Sequence, residues 1–331
     1  MKPLLSLTCD DHGRPDAAAV AVVAGAIGPV LDAHHHLWDL DANSYPWLQE
    51  KPVQAHFGDY SRIRKTYLAS DYRRDVGIVQ LAGSVHVEAH WRDGIAPQDE
   101  TAWLSAHSDS QGLPDAIIGA AEAMSPDLDD VLNAHQAFAR FRGIRIMAYG
   151  RGKPEGALRY RDECFRTGLA RMVERDLIIE LQAPPTAHGA VCELADLHPS
   201  ARFVIIHCGL PIDRSGAGLA TWREGIAMMA RHENVSMKLS GLPMTDHKWD
   251  VSSFKPMVRH LLDNFGTYRL MFGSNFPVDG LFSDYPTLLA GYVAAIGVRD
   301  IAPLRRIFRE TSSAFYRTVE TSGNGVEAAN D

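Results

Sequence analysis

The chain has 331 residues, 46% of them hydrophobic, which is enough apolar material for a large buried core and excludes disorder as a description of the whole. Its 33 basic and 41 acidic side chains leave a net charge of −8, so neither nucleic acid nor a membrane surface is an expected partner. Small molecules are the expected ligands. The four scattered cysteines, Cys9, Cys164, Cys192 and Cys208, form no CxxC pair and suit reduced thiols in the cytoplasm.

Residues 1–29 read as a loosely attached N-terminal extension. The uncharged stretch from Ala17 to Leu31 is 15 residues long, short of the roughly 20 that span a bilayer. Asp10, Asp11 and Asp16 before it oppose the basic start of a signal peptide. From Val30 onward, short β-branched runs alternate with segments of helical period. The runs are Val30 to His34, Val85 to Glu88, Ile117 to Gly119, Gly143 to Ile146, Leu177 to Leu181, Phe203 to His207, Val235 to Leu239 and Leu270 to Gly273. Between them, sets such as Leu128, Val131, Leu132 and His135, or Val258, Leu261, Leu262 and Phe265, mark apolar helical faces.

Eight such βα units predict a (β/α)8 TIM barrel as a single domain over residues 30–321, with a doubly wound open sheet as the competing topology. The long excursion after the first run carries Tyr45-Pro46-Trp47-Leu48 and a predicted helix from Arg62 to Arg74. In a barrel it lies over the C-terminal mouth, where active sites sit. Beyond Ile301 an amphipathic helix is expected to close the barrel, and residues 322–331 read as a flexible tail.

Chemistry concentrates at the ends of the runs. Asp32-Ala33-His34-His35-His36 ends the first, and strand alternation sends His34 and His36 to one side and His35 to the other, with Asp32 as a supporting carboxylate. His207 leaves the sixth run in the same way, and Asn275 emerges from the eighth. Glu88, at the end of the second run, is a candidate base or a strand-end ion pair. Asp279 either reaches the mouth or caps a turn. Arg145 and Lys238 either hold a substrate carboxylate or pair with acids between strands. Trp38, Tyr45, Trp47 and Phe276 are candidates to line a pocket. His35, His86 and His247 have no assigned role.

The segments DAHHHLWD from Asp32 with YPW after it, HVEA from His86, IHCGLP from Ile206, KLSGL from Lys238 and MFGSNFPVD from Met271 together resemble the amidohydrolase-related branch of the amidohydrolase superfamily. The resemblance runs from Val30 to Tyr316. It implies a TIM-barrel hydrolase similar to sugar-lactone and dicarboxylate-lactone hydrolases, or a metal-dependent non-oxidative decarboxylase of the same branch. It makes His34 and His36 the first-strand pair, His207 a barrel histidine near metal or substrate, and Asn275 the occupant of a position that is usually aspartate. An amide there carries no charge and takes no proton near neutral pH. Gln182 likewise stands where metal-dependent members have histidine.

At most one divalent ion, zinc or manganese, is therefore expected, held by His34, His36 and His207, with metal-free catalysis as the alternative. The expected protein is a cytoplasmic hydrolase that opens a lactone or related cyclic ester of a small carboxylated or sugar-derived molecule, either alone or as a homo-oligomer. Water near the three histidines attacks the carbonyl, and Glu88 or His207 takes its proton. Asn275 is a donor to the oxyanion, while Arg145, Lys238, Trp38, Gln182, Phe276 and Asp279 contact substrate. A catalytically degenerate ligand-binding barrel is the remaining alternative, suggested by Asn275 and Gln182.

Overall fold

Short, largely apolar β-branched runs suit burial on both faces, and that is what a parallel sheet wrapped by helices provides. In the computed structural model, which describes residues 7–50, 55, 57–148, 156–297 and 300–318, the sheet has eight strands. They are β1 Val30–His35, β2 Leu81–Val87, β3 Ala116–Ala120, β4 Phe141–Met147, β5 Ile178–Gln182, β6 Arg202–Ile205, β7 Val235–Leu239 and β8 Leu270–Phe272. Each pairs in parallel with the next in chain order. The ring is closed just past β8, where the Asn275 amide donates to the His34 carbonyl at 2.7 Å and the His36 amide to the Phe276 carbonyl at 2.8 Å. The expected (β/α)8 barrel is the observed fold, and the open sheet is excluded.

Apolar side chains form two layers. One fills the space between strands and helices. The other lies inside the barrel, where Leu31, Ala33, Val85, Val87, Ile118, Ile178, Val204 and Met271 pack on Tyr316 from the C-terminal helix Thr311–Tyr316. The interior is thus a packed core, leaving the polar residues at strand ends to form the mouth. Several crossover helices begin on a side chain that accepts backbone amides: Asp162 before Glu163–Glu174, Ser215 before Gly216–Met229, Asp250 before Val251–Phe265 and Asp284 before Tyr285–Ile296.

Three expectations are corrected. Residues 7–29 are not loose, because Asp16 caps the helix Ala17–Ile27, whose Val20, Val23 and Ile27 join the outer core. Arg14 is also tied to the carbonyls of Trp249 and Phe282 at 2.9 and 3.1 Å. The helix expected from Arg62 to Arg74 is a short turn, Ser61–Ile63, and a separate helix, Ala69–Val76. Between them Tyr67 exchanges two backbone hydrogen bonds with Trp38, which holds the chain extended until Asp71 caps the Leu68 amide at 3.1 Å. Finally, β6 stops at Ile205, because His207, Cys208 and Leu210 turn through positive φ. Among the described residues no helix is long and apolar enough to cross a membrane. The expected tail, residues 322–331, lies outside the described residues.

Candidate active site

The first-strand histidines owe their direction to a break in register. Asp32 pairs with Ser84 but His35 with His86, three residues against two, so β1 carries a bulge. Leu31 and Ala33 point into the barrel plug, and after the bulge His34 and His36 also face the interior. His35 turns the other way, stacking on Tyr72 at 4.4 Å and meeting the Ser84 hydroxyl at 3.0 Å. Asp32 braces backbone: it accepts from the amides of His34 and Ser274 at 3.1 and 2.8 Å and from the Tyr72 hydroxyl at 2.7 Å. Space is equally constrained, since a Cβ on Gly273 would lie 2.6 Å from Cβ of His34.

Three imidazoles from two distant strand ends meet here. The ring of His34 is centred 5.0 Å from that of His36 and 4.6 Å from that of His207, and all three are buried. His36 Nδ1 donates to the Val87 carbonyl at 2.7 Å, so its Nε2 carries the lone pair. His207 is positioned by the Ser240 hydroxyl, which lies 3.1 Å from both its Nδ1 and its backbone amide. A Cβ on Gly241, at φ +67, would stand 2.7 Å from His207 Nδ1. Burial, helped by Lys238 and the neighbouring rings, holds His34 well below the usual imidazole range; burial and Arg145 do the same to His36. His34 Nε2 is buried and has no hydrogen-bond partner among the described residues.

The charged candidates are paired with one another. Arg145 donates through Nε to Glu88 at 2.7 Å and through Nη2 to the same oxygen, with both side chains buried. Burial alone would raise Glu88, but Arg145, His90 and the His90 amide outweigh it and hold the carboxyl below the usual range. A carboxylate so stabilised is a weak base. Lys238 ends in the barrel interior, 2.6 Å from Glu180 and 3.4 Å from His34 Nδ1, fully buried. Arg145 and Lys238 thus each pair with a glutamate on another strand, the inter-strand arrangement.

Asn275 stands beside His34 in backbone, but its Nδ2 donates to Asp279 Oδ1 at 2.9 Å and to Met244 Sδ at 3.4 Å. Both its N–H bonds are engaged, which leaves only the carbonyl oxygen for a neighbour. Asp279 is buried, accepts from Asn275 and from the Gly241 amide at 3.1 Å, and is raised well above the ordinary carboxyl range by burial. It thereby ties Asn275 to the turn after β7. Gln182 lies buried at the end of β5, where its backbone carbonyl accepts from the Ala148 amide at 3.1 Å. Trp38 donates to the Lys65 carbonyl at 2.7 Å and stacks its ring 6.3 Å from that of His36, and Phe276 packs on Tyr285 at 5.3 Å. A cavity of about 520 Å³ is lined by Arg62, Lys65, Phe276 and Asp284, and another of about 420 Å³ by Met244, Asp246 and His247; neither is lined by His34, His36 or His207.

Sequence reasoning missed Glu180, Tyr316, Ser240 and Glu100. Glu180 accepts from Tyr316 at 2.5 Å as well as from Lys238, and its signal was an acid placed in the middle of an apolar run. Glu100 accepts from the Ala89 amide at 3.1 Å and the Tyr45 hydroxyl at 3.2 Å, and burial beside Glu88 raises it. In sequence it looks only like an acid in a helix's first turn.

The donor set decides whether a divalent ion suits the centre. An ammonium faces His34 Nδ1 at 3.4 Å, and the β8 position carries a neutral amide turned to Asp279. Among the described residues no three or more His, Cys, Asp or Glu side chains are spaced to hold an ion. As folded, these residues do not fit a resident divalent cation.

The amidohydrolase family model matches residues 31–318. The Sinorhizobium fredii protein y4mH, of uncharacterised function, is 34% identical over 296 residues, covering 87% of this chain and 98% of its own. L-Fucono-1,5-lactonase of Burkholderia ambifaria is 27% identical over 303 residues, covering 89% and 97%. The crystal structure of a Burkholderia multivorans amidohydrolase with bound zinc superposes with a TM-score of 0.73 at 24% identity, covering 88% of this chain and all of that one. With the barrel, its histidines and the family match in agreement, this chain belongs to the amidohydrolase family and is a hydrolase enzyme.

Proposed function

We propose that the protein is a lactonase that opens the cyclic ester of a small, uncharged, sugar-derived acid by attack of water. The observation that carries this reading is the cluster of three buried imidazoles at the ends of β1 and β6, with His34 Nε2 unpartnered among them. The identity to L-fucono-1,5-lactonases supports it.

Water held at the cluster attacks the ester carbonyl carbon, and His207 takes its proton, because the charge of Glu88 is already engaged by Arg145. The oxyanion so formed is met by an imidazole N–H. Collapse breaks the ring C–O bond, and the leaving alkoxide takes the proton back from the imidazolium, giving a hydroxy acid. A lactone suits this machinery. With the Glu88 carboxylate held by Arg145, rate support comes from general-base assistance of roughly 10²- to 10⁴-fold, which is sufficient for activated esters. Decarboxylation would need a cation to grip the substrate carboxylate, and the two barrel cations, Arg145 and Lys238, each already hold a glutamate.

Acid release from a panel of aldonolactones and dicarboxylate lactones, followed with a pH indicator, tests the reading. Turnover of a sugar lactone, reduced about 10²-fold or more in His207→Asn, is the expected result. Carbon dioxide release without ring opening, or no acid from any lactone, overturns it.

A further inference from the structure

We propose that Lys238 is a positioning residue for His34: anchored by Glu180, its ammonium donates to Nδ1 and obliges the ring to carry its proton on Nε2, aimed at the carbonyl oxygen of a bound lactone. This deepens the lactonase reading and rests on it. A column of buried groups rises along the barrel interior. The Tyr316 hydroxyl from the C-terminal plug donates to Glu180 Oε1 at 2.5 Å, Lys238 Nζ donates to the same oxygen at 2.6 Å, and Nζ also faces His34 Nδ1 at 3.4 Å. The Tyr316 ring lies 5.2 Å from Nζ, and neither Lys238 nor Glu180 reaches solvent.

An ammonium has hydrogens and no lone pair, so the ring nitrogen facing it must be the acceptor. In a neutral imidazole the proton then sits on the other nitrogen. That nitrogen, Nε2, is buried and has no partner among the described residues. His36 is fixed the opposite way, since its Nδ1 gives its hydrogen to the Val87 carbonyl and its Nε2 keeps a lone pair. The two rings of one His-x-His motif thus carry one donor and one acceptor, with their centres 5.0 Å apart. Hydrolysis of an ester needs that pairing: a donor where charge develops on oxygen, and an acceptor to orient the attacking water. The same Nε2–H is unable to ligate a cation, which accounts for the poor fit to a metal.

Long-range ¹H–¹⁵N correlation spectra of the ¹⁵N-histidine-labelled protein report each ring's tautomer, with His34 identified from the spectrum of His34→Gln. The expected wild-type state is Nε2–H for His34 and Nδ1–H for His36. Lys238→Met combined with Glu180→Gln removes both buried charges and leaves Tyr316 an acceptor, so the fold is retained. In that variant His34 is expected to lose its single tautomer, and kcat to fall about 10- to 100-fold with KM within about threefold, the pattern of an interaction made only in the transition state. Wild-type His34 protonated on Nδ1, or a folded double variant with wild-type tautomer and kcat, overturns the proposal. Should no lactone be turned over, the lactonase reading fails, while the wild-type spectrum still decides the role of Lys238.

Discussion

Arg145→Met removes one member of a fully buried ion pair. It deletes the Nε bond of 2.7 Å and the Nη2 bond to Glu88 Oε1, leaving the carboxylate with the His90 amide at 2.7 Å and the His90 ring at 3.7 Å. Stranding one partner of a buried pair typically costs 3–5 kcal/mol. Because His90 remains, the lower end applies, about 3 kcal/mol, a large share of the 5–15 kcal/mol by which domains are usually stable. The pH dependence carries a sign. In the wild type Glu88 titrates below the ordinary 4.5, so its stabilisation is present above that value and is lost as pH falls through the folded value. Without Arg145 burial dominates and the folded value rises above 4.5, so the variant's deficit is largest at pH 7 and narrows as Glu88 takes up a proton. Urea unfolding of the wild type, Arg145→Met and Arg145→Met/Glu88→Gln at pH 7 and pH 5 measures this. The double variant should recover about 2 kcal/mol of the single variant's loss, since no charge is left stranded. A single-variant cost under about 1 kcal/mol, or a double variant costing the sum of both changes, would refute the reasoning.

Asn275→Asp sets a second carboxyl 2.9 Å from buried Asp279; like charges at that range cannot both ionise, so thermal unfolding should report a loss of about 1–3 kcal/mol and elemental analysis no gain in bound divalent metal. Gly241→Ala, at φ +67 and with its new Cβ 2.7 Å from His207 Nδ1, should cost about 1–2 kcal/mol from backbone conformation alone and lower lactone turnover by moving His207; wild-type turnover would show that the ring tolerates displacement. Lys238 is pushed down to about 8 from 10.5, chiefly by burial, so between those values the unfolded chain binds the extra proton and stability should rise with pH by up to about 3 kcal/mol relative to Lys238→Met/Glu180→Gln. Parallel pH–stability curves for the two proteins would contradict this.

The strands were legible because a parallel sheet buried on both faces is written largely in apolar, β-branched runs, and even Val235–Leu239, which carries Ser236 and Lys238, emerges with the predicted limits. The opposite directions of His34 and His35 were legible from alternation. The bulge that turns His34 inward after Ala33 was not, because it depends on how β1 pairs with β2, and nothing local in Asp32-Ala33-His34 announces it. Cross-strand pairs were hidden for the same reason: Glu180 and Lys238 are separated by 58 residues, and Glu88 and Arg145 by 57, so only the closed barrel brings them together. Asn275 was recognisable as a departure from aspartate, but its direction is set by Asp279 and Met244, the latter 31 residues away. Sequence supplied the reactive residue types; the register between strands determined which of them cancel.

That cancellation bears on the substrate. Inside the barrel each buried cation described here answers a buried acid, Arg145 with Glu88 and Lys238 with Glu180, while burial keeps His34 and His36 uncharged. A dicarboxylate lactone brought to this point would have to displace one of those acids, stranding it at a cost of several kcal/mol. An uncharged polyhydroxylated lactone asks only for hydrogen bonds. Neutral sugar lactones should therefore exceed dicarboxylate lactones in kcat/KM by at least about 10²-fold, the equivalent of a 2.7 kcal/mol difference. Steady-state rates on matched pairs of five- and six-membered lactones measure the ratio. A preference for the charged series would mean that one of the two pairs opens on binding, and the view of the barrel interior as electrically self-contained would have to be abandoned.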